Sequence, residues 1–276
     1  MTLVAEPETT PETIEATVNY LLSTDRMPMI YGGEPGSAQP RTSLPTDSRR
    51  VVIRNGRVTA DQFALDRNGF RLVCHNTQMH DFFDEDEVRR VYYPEMEALV
   101  KAETGASRVI VFNHFLRSTN ANVRATRKVL GQALSVHNDY TESSGPERVR
   151  KHFPEETKEP SRRSAIVQVW RPIHHPVEMF PLAVCDAKSL MPEDLVVTER
   201  HSTSGIGVFY TATYNPHHRW YWFPRMRRDE ALVFKVYDSV DDGRARWTPH
   251  TAFEDPLTPP HACPRESIEI RAVAVF

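Results

Sequence analysis

The stretch SVHNDYT, residues 135–141, sets His137 and Asp139 two residues apart in a segment with the texture of a β-strand. Side chains two apart on a strand share a face. His137 and Asp139 would therefore point the same way, with Ser135 beside them and Leu134 and Val136 on the other face. An imidazole nitrogen and a carboxylate oxygen so placed are two ligands of a 2-His-1-carboxylate facial triad, the arrangement that leaves adjacent positions open on non-haem Fe(II). Alone the pair carries little weight: with 12 His and 37 acidic residues in 276, chance supplies 12 × 37/276, about 1.6, such pairs. The third ligand should be a His on another strand, and the later chain offers His218 in NPHHRWYWFP and His250 in WTPHTAFEDP. Beyond His250, RESIEIRAVAVF puts Arg265, Ser267, Glu269 and Arg271 on one strand face and Ile268 and Ile270 on the other. A guanidinium fork with a nearby hydroxyl suits the distal carboxylate of a dicarboxylate co-substrate. An HxD pair, a later His and an Arg-x-Ser soon after it form a far rarer combination than HxD alone.

Other residues compete for these roles. Arg271 shares a face with Arg265 and rivals it for the co-substrate. Arg171 in VWRPI ends an apolar strand, where a buried unpaired charge would be costly. It is an edge charge or a group that binds a substrate carboxylate. Lys235 and Tyr237 in FKVYDS share a strand face by alternation, and His218 could sit on the substrate rim. His75 and His80 lie five apart with no acid geometry, and the RMRR and SRR clusters read as solvated surface.

The elements that must position these residues follow from the wider pattern. Hydrophobic content of 39% and charged content of 26% describe a globular chain long enough for one large domain or two small ones. A net charge of -3 gives no reason to expect nucleic acid, and three scattered cysteines indicate neither disulfides nor a zinc knuckle. The acidic N-terminus lacks the apolar region of a signal peptide, and no apolar run approaches a membrane span, so a cytoplasmic location is expected. Residues 1–10 read as disordered. TPETIEATVNYLL reads as a short helix with Thr10 as N-cap, and residues 25–49 as an irregular arm. Asn55-Gly56 and Asn68-Gly69 are hairpin signals. DEDEVRRVYYPEMEALVKAETG predicts a helix ended by Gly105 and kinked at Pro94. After residue 106, nine short β-rich runs separated by turns predict a sandwich or barrel, interrupted by a charged surface loop, RKHFPEETKEPSRRS.

Seven stretches together carry a resemblance: VFNHFLRS, VHNDYTESSGPERV, VQVWRPI, PLAVCDAKSL, HRWYWFPRMRRDEALVFKVYDS, TPHTAFEDP and PRESIEIRAVAVF. In these the chain resembles the double-stranded β-helix Fe(II)/2-oxoglutarate-dependent oxygenases. More narrowly it is similar to the group containing the cephamycin 7α-methoxylase small subunit, the fungal gibberellin desaturase and hydroxylase/desaturases of fungal secondary metabolism. The resemblance implies a mainly β protein: a double-stranded β-helix (jelly roll) at 84–276 with flanking helices, and an N-terminal α/β extension at 1–83 packed on it. It implies His137, Asp139 and His250 as iron ligands, and Arg265 with Ser267 as the grip on the 2-oxoglutarate C5 carboxylate. O₂ would be the second co-substrate. The reaction implied is hydroxylation, desaturation or oxidative cyclisation at an unactivated C–H bond of a small molecule. That substrate is expected to carry a carboxylate and the enzyme to be a homodimer, with Arg171, Tyr237 and His218 as candidate substrate contacts. The acid at 139 argues against a halogenase, which needs that position open. Two rivals stand beside this expectation. One is a cupin-type isomerase or hydrolase that uses the same ligands without 2-oxoglutarate; the other is a non-catalytic partner subunit of a tailoring enzyme.

Overall fold

The computed structural model describes residues 10–31, 44–155, 162–202 and 205–276. The helix expected near the N-terminus is a strand, β1 (Thr13–Leu21), paired along its whole length with β3 (Thr46–Asn55). Ile14, Ala16, Val18 and Tyr20 are buried while Glu15 and Thr17 between them are exposed, a period of two that outweighs the helix-start signal of Thr10 and Pro11. The disorder expected for residues 1–10 falls almost wholly outside the described residues, as does much of the arm, of which β2 (Met29–Tyr31) and the first part of β3 are described.

Both hairpin signals mark turns, but neither joins two strands. After Asn55-Gly56 no strand follows directly; Gly56 N donates to Trp222 O at 2.8 Å and β3 instead runs parallel to β11 (Trp220–Trp222). Gly69, at φ +90, opens β4 (Phe70–Cys74), which pairs with β12 (Glu230–Asp238). The predicted helix is present as α1 (Glu85–Glu87), a π-helical turn (Val88–Tyr92) and α2 (Tyr93–Thr104). Asp84 caps its start and Gly105, at φ 73, ends it. The π turn sits just ahead of Pro94, which has no N–H to give the preceding turn.

Two sheets hold the rest. The larger runs β1-β3-β11-β8-β13-β6-β10-β9-β2, and the smaller β4-β12-β7-β14-β5. The strands not yet bounded are β5 (Arg108–Ser118), β6 (His137–Asn138), β7 (Ser164–Pro172), β8 (Leu182–Cys185), β9 (Leu195–Ser202), β10 (Gly205–Ala212), β13 (His250–Ala252) and β14 (Glu266–Val275). The fold is mainly β, a jelly roll as expected, and the segment before residue 84 supplies strands to both sheets. Leu182 and Val184 of the larger sheet pack with Phe70, Ile166, Trp170, Leu232 and Phe234 of the smaller. On the smaller sheet's other face Val167, Val169, Val233 and Ile270 meet Tyr92, Met96 and Val100 of the helix. The first residues of the charged loop, 150–152, close α4 (Ser144–His152), and residues 156–161 of it lie outside the described residues.

The larger sheet curls until Asn19 of β1 bridges Ser135, two residues before His137, and Val136 N donates to Asn19 O at 2.8 Å. Val136 is buried among Val18, Ile53 and Trp220 inside that curl. The N-terminal strand thus props the segment that carries the first candidate ligand.

Candidate metal centre

His137, Asp139 and His250 offer ligand atoms that all lie within 4.8 Å of one another. Sheet register brings two of them together: β6 and β13 are antiparallel neighbours, His137 stands opposite His250, and the ring centroids are 4.4 Å apart. Asp139 follows immediately after β6, buried like His250, while His137 is half-buried. His137 Nδ1 donates to Ser135 O at 2.8 Å and His250 Nδ1 to Thr248 O at 3.0 Å. A carbonyl can only accept, so both rings carry a proton on Nδ1, which leaves Nε2 as the atom each can offer a metal. Nε2 of His250 is buried with no hydrogen-bond partner among the described residues and faces Asp139 Oδ2 at 3.7 Å. Burial, then the neighbouring His250, pulls His137 down to about 3, so it stays neutral at physiological pH. Burial alone would raise the Asp139 carboxyl, but the Arg271 guanidinium, the two neighbouring histidines and the Gln168 hydrogen bond together outweigh it and hold the group well below the usual carboxylate range. Two imidazoles held at Nδ1 by carbonyls, an ionised carboxylate and an orphaned buried nitrogen are a donor set that fits a divalent iron.

The smaller sheet supplies the rest of the chamber. Arg265, just before β14, and Ser267 on it are buried, and Arg265 Nε and Ser267 Oγ both lack a hydrogen-bond partner among the described residues. Arg265 Nη1 donates to Phe180 O, and the guanidinium stands 5.8 Å from the Trp170 ring. Burial, then Arg117, lowers its pKa to about 9, with Glu269 acting in the opposite direction. A carboxylate would satisfy both orphaned donors at once.

Strand alternation sorts the remaining candidates. On β7, Gln168 and Trp170 face this chamber, whereas Arg171 faces the helix. There Arg171 Nη2 meets His75 Nδ1 at 2.8 Å, Nη1 donates to the carbonyls of His75 and Arg228, and the guanidinium lies 5.3 Å from the Tyr92 ring. The structure does not bring it to the triad. His218 is held elsewhere as well: Nε2 pairs with Asp194 Oδ2 at 3.0 Å and Nδ1 with the Tyr20 hydroxyl at 3.1 Å, so neither nitrogen is open to a ligand. Lys235 and Tyr237 do not share a face, because the ladder shifts register between them. Lys235 pairs with Asp66 and Asp238, and Tyr237 packs near Trp247, which itself lies 5.2 Å from Tyr210.

Two chamber residues, Arg117 and Gln168, escape a sequence-only reading, and Arg271, expected there only as a rival for the co-substrate, contacts Asp139 instead. Arg117 of β5 stands opposite Ser267 on the inner face and bears electrostatically on both Arg265 and His137. Gln168 Nε2 donates to Asp139 Oδ2, and Arg271 Nη2 donates to Asp139 Oδ1 at 2.6 Å. The available signal for Gln168 was a lone amide within an otherwise apolar strand run, where a buried polar group needs a partner.

A jelly roll that presents two imidazoles and a carboxylate from paired strands defines a mononuclear metal enzyme with open coordination positions. Comparison with known proteins narrows this. The family described as an oxidoreductase/YMDC permease-like domain matches residues 18–276. The chain is 35% identical over 232 residues to the alpha-ketoglutarate-dependent dioxygenase phiK of a fungal species, covering 81% of this chain and 83% of that one. It is 32% identical over 290 residues to the hydroxylase/desaturase efuI of Hormonema carpetanum, covering 96% and 95%. Among solved structures it superimposes on the iron and alpha-ketoglutarate-dependent endoperoxidase NvfI with a TM-score of 0.83 and 27% identity, covering 96% of this chain and 98% of that chain. The chain belongs to the Fe(II)/2-oxoglutarate-dependent oxygenases of fungal secondary metabolism, enzymes that act on small molecules with iron as cofactor and 2-oxoglutarate as co-substrate. No helix among the described residues is long and apolar enough to cross a membrane.

Proposed function

We propose that His137, Asp139 and His250 hold one Fe(II) and that Arg265 with Ser267 grips the distal carboxylate of 2-oxoglutarate. The substrate is a small molecule oxidised at an unactivated C–H bond by hydroxylation, desaturation or oxidative cyclisation. The observation that carries this reading is the convergence of three ligand atoms within 4.8 Å, facing an inner sheet surface where Arg265 Nε and Ser267 Oγ are buried without hydrogen-bond partners among the described residues. Bound iron, with 2-oxoglutarate and O₂, supplies the oxidising power, while the protein supplies ligation, orientation and a dry chamber. Ser135 and Thr248 carbonyls fix the imidazole tautomers, Arg265 and Ser267 set the co-substrate's far end, and Phe234, 4.8 Å from the His250 ring, keeps water from that ligand.

Arg171 was the residue behind a carboxylate on the substrate, and its engagement with His75 removes that support. Tyr237, with Trp247 and Tyr210 beside β6, is the better candidate for a substrate wall. The proposal also includes a cytoplasmic location and a homodimer, the latter favoured by exposed Met29 on edge strand β2 and Ile206 on β10; sedimentation of the purified protein tests it.

The test of function is anaerobic. One Fe(II) per chain should bind, addition of 2-oxoglutarate should produce a visible charge-transfer band, and O₂ should then yield succinate. An iron protein with no such band and no succinate would sink the oxygenase reading and favour a cupin-type isomerase or hydrolase.

A further inference from the structure

Asp139 is gripped at both oxygens from the opposite sheet. Arg271 Nη2 donates to Oδ1 at 2.6 Å and Gln168 Nε2 donates to Oδ2, the oxygen that faces His250 Nε2 at 3.7 Å. Arg271 is itself locked on two further sides: Nε donates to Glu269 Oε1 at 3.3 Å, and the guanidinium lies 4.6 Å from the Phe115 ring. Glu269 and Phe115 are register partners on β14 and β5, so the strand pairing that builds the sheet also aims Arg271. A single buried guanidinium is shared between two carboxylates, and its shorter contact goes to the one beside the two imidazoles.

We propose that Arg271 is a positioning residue which, with Gln168, fixes Asp139 as a one-oxygen metal ligand. This rests on the metal site proposed above. Holding Oδ1 in a charge-assisted hydrogen bond keeps it off the metal and leaves Oδ2 aimed at the ligand cluster. A carboxylate that used both oxygens would occupy one of the positions a facial triad must leave open for co-substrate and O₂. Partners that orient a ligand in this way typically change metal affinity 10- to 100-fold when removed. Arg265, just before β14, and Arg271 on it, two of the four residues that alternation sets on one face, therefore divide the labour: Arg265 serves the co-substrate, and Arg271 serves the ligand.

The test compares Arg271→Lys with the charge-balanced double variant Arg271→Gln/Glu269→Gln, which removes one cation and one anion together. Fe(II) affinity is measured anaerobically by chelator competition without 2-oxoglutarate, alongside the melting temperature of the metal-free protein. The double variant should bind Fe(II) roughly 10- to 100-fold more weakly, while the metal-free melting temperature stays near wild type. Its 2-oxoglutarate affinity at saturating iron should also hold, in contrast to Arg265→Ala. Arg271→Lys should recover part of the iron affinity, and it carries the test if the double variant does not fold. Wild-type iron affinity in the variants overturns the proposal. So does unchanged iron affinity with lost 2-oxoglutarate affinity, which would make Arg271 the co-substrate cation. Failure of the wild type to bind Fe(II), or full binding by Asp139→Ala, would instead bring down the metal site itself.

Discussion

Arg265 is buried with its Nε, like the Ser267 hydroxyl, without a hydrogen-bond partner among the described residues, and the two can be tested one side chain at a time. Removing one partner of a desolvated, two-pronged ion pair costs about 2–5 kcal/mol, or roughly 30- to 3,000-fold in affinity. Arg265→Ala should weaken 2-oxoglutarate binding by that factor in an anaerobic titration while iron binding holds. Arg265→Lys keeps the charge without the fork and should fall between the two. If the alanine variant titrates like wild type, the co-substrate cation lies elsewhere, with Arg117 next in line. A second contrast separates the two late histidines. His250→Ala should lose Fe(II). His218→Ala should keep it yet melt lower, because Asp194 and the Tyr20 hydroxyl lose a buried partner worth about 1–3 kcal/mol. Iron loss in His218→Ala with normal binding in His250→Ala would reverse that assignment. At this scale the sequence was most informative about which residues spacing would bring together: His137 with Asp139, and Arg265 with Ser267. It could not tell Arg271 from Arg265, since alternation puts both on one face; only the third dimension shows which one meets Asp139.

At the scale of elements, a turn reaches the metal site through one hydroxyl. Gly69 has φ +90, and a Cβ there would stand 2.2 Å from Thr248 Oγ1, the hydroxyl that donates to Gly69 O at 3.0 Å. The carbonyl of the same Thr248 holds His250 Nδ1. Gly69→Ala should therefore cost about 1–3 kcal/mol of stability through backbone strain and also weaken Fe(II) binding in a chelator competition. Lower stability with unaltered iron affinity would uncouple the turn from the ligand. The Asn68-Gly69 signal correctly marked a turn, but the partner strand of β4 is β12, far along the chain, and turn chemistry carries no information about that pairing. The misread β1 teaches a related lesson. Thr10 and Pro11 imitate a helix start, yet burial follows the alternation of Ile14, Ala16, Val18 and Tyr20, because a partner strand and the curl of the larger sheet are available to cover that face. The bulge between Lys235 and Tyr237 was likewise invisible, since alternation assumes an unbroken ladder.

The whole molecule is tied together by ion pairs that set its response to acid. Arg57, just past β3, grips Glu230 of β12 with two hydrogen bonds of 2.6 and 2.8 Å, and Asp66 meets Lys235 at 2.6 Å. Burial tends to raise both carboxyls, but their cationic partners prevail and hold them below ordinary values. A depressed carboxyl stabilises the fold above its unfolded pKa, and that contribution is lost as pH falls through the folded pKa. The melting temperature should accordingly drop as pH falls from about 5 toward 3, and Glu230→Gln should lower it at neutral pH and flatten the acid slope. An acid slope equal to that of wild type would show that this pair does not set it. Strand β6 is only two residues long, wedged between β10 and β13 and steadied from behind by Asn19. So short a strand contributes few ladder bonds of its own, and a metal joined to His137 and His250 would act as a rivet across the β6–β13 seam. Iron occupancy and local order then become one equilibrium. At a hundredfold excess over its dissociation constant, iron should add about 2.7 kcal/mol to stability, and protease should nick the iron-stripped protein first between α3 (Ala121–Arg127) and β6. For a cell in which iron is scarce, that seam would make the supply of metal, as much as the rate of synthesis, the control on how long this enzyme lasts.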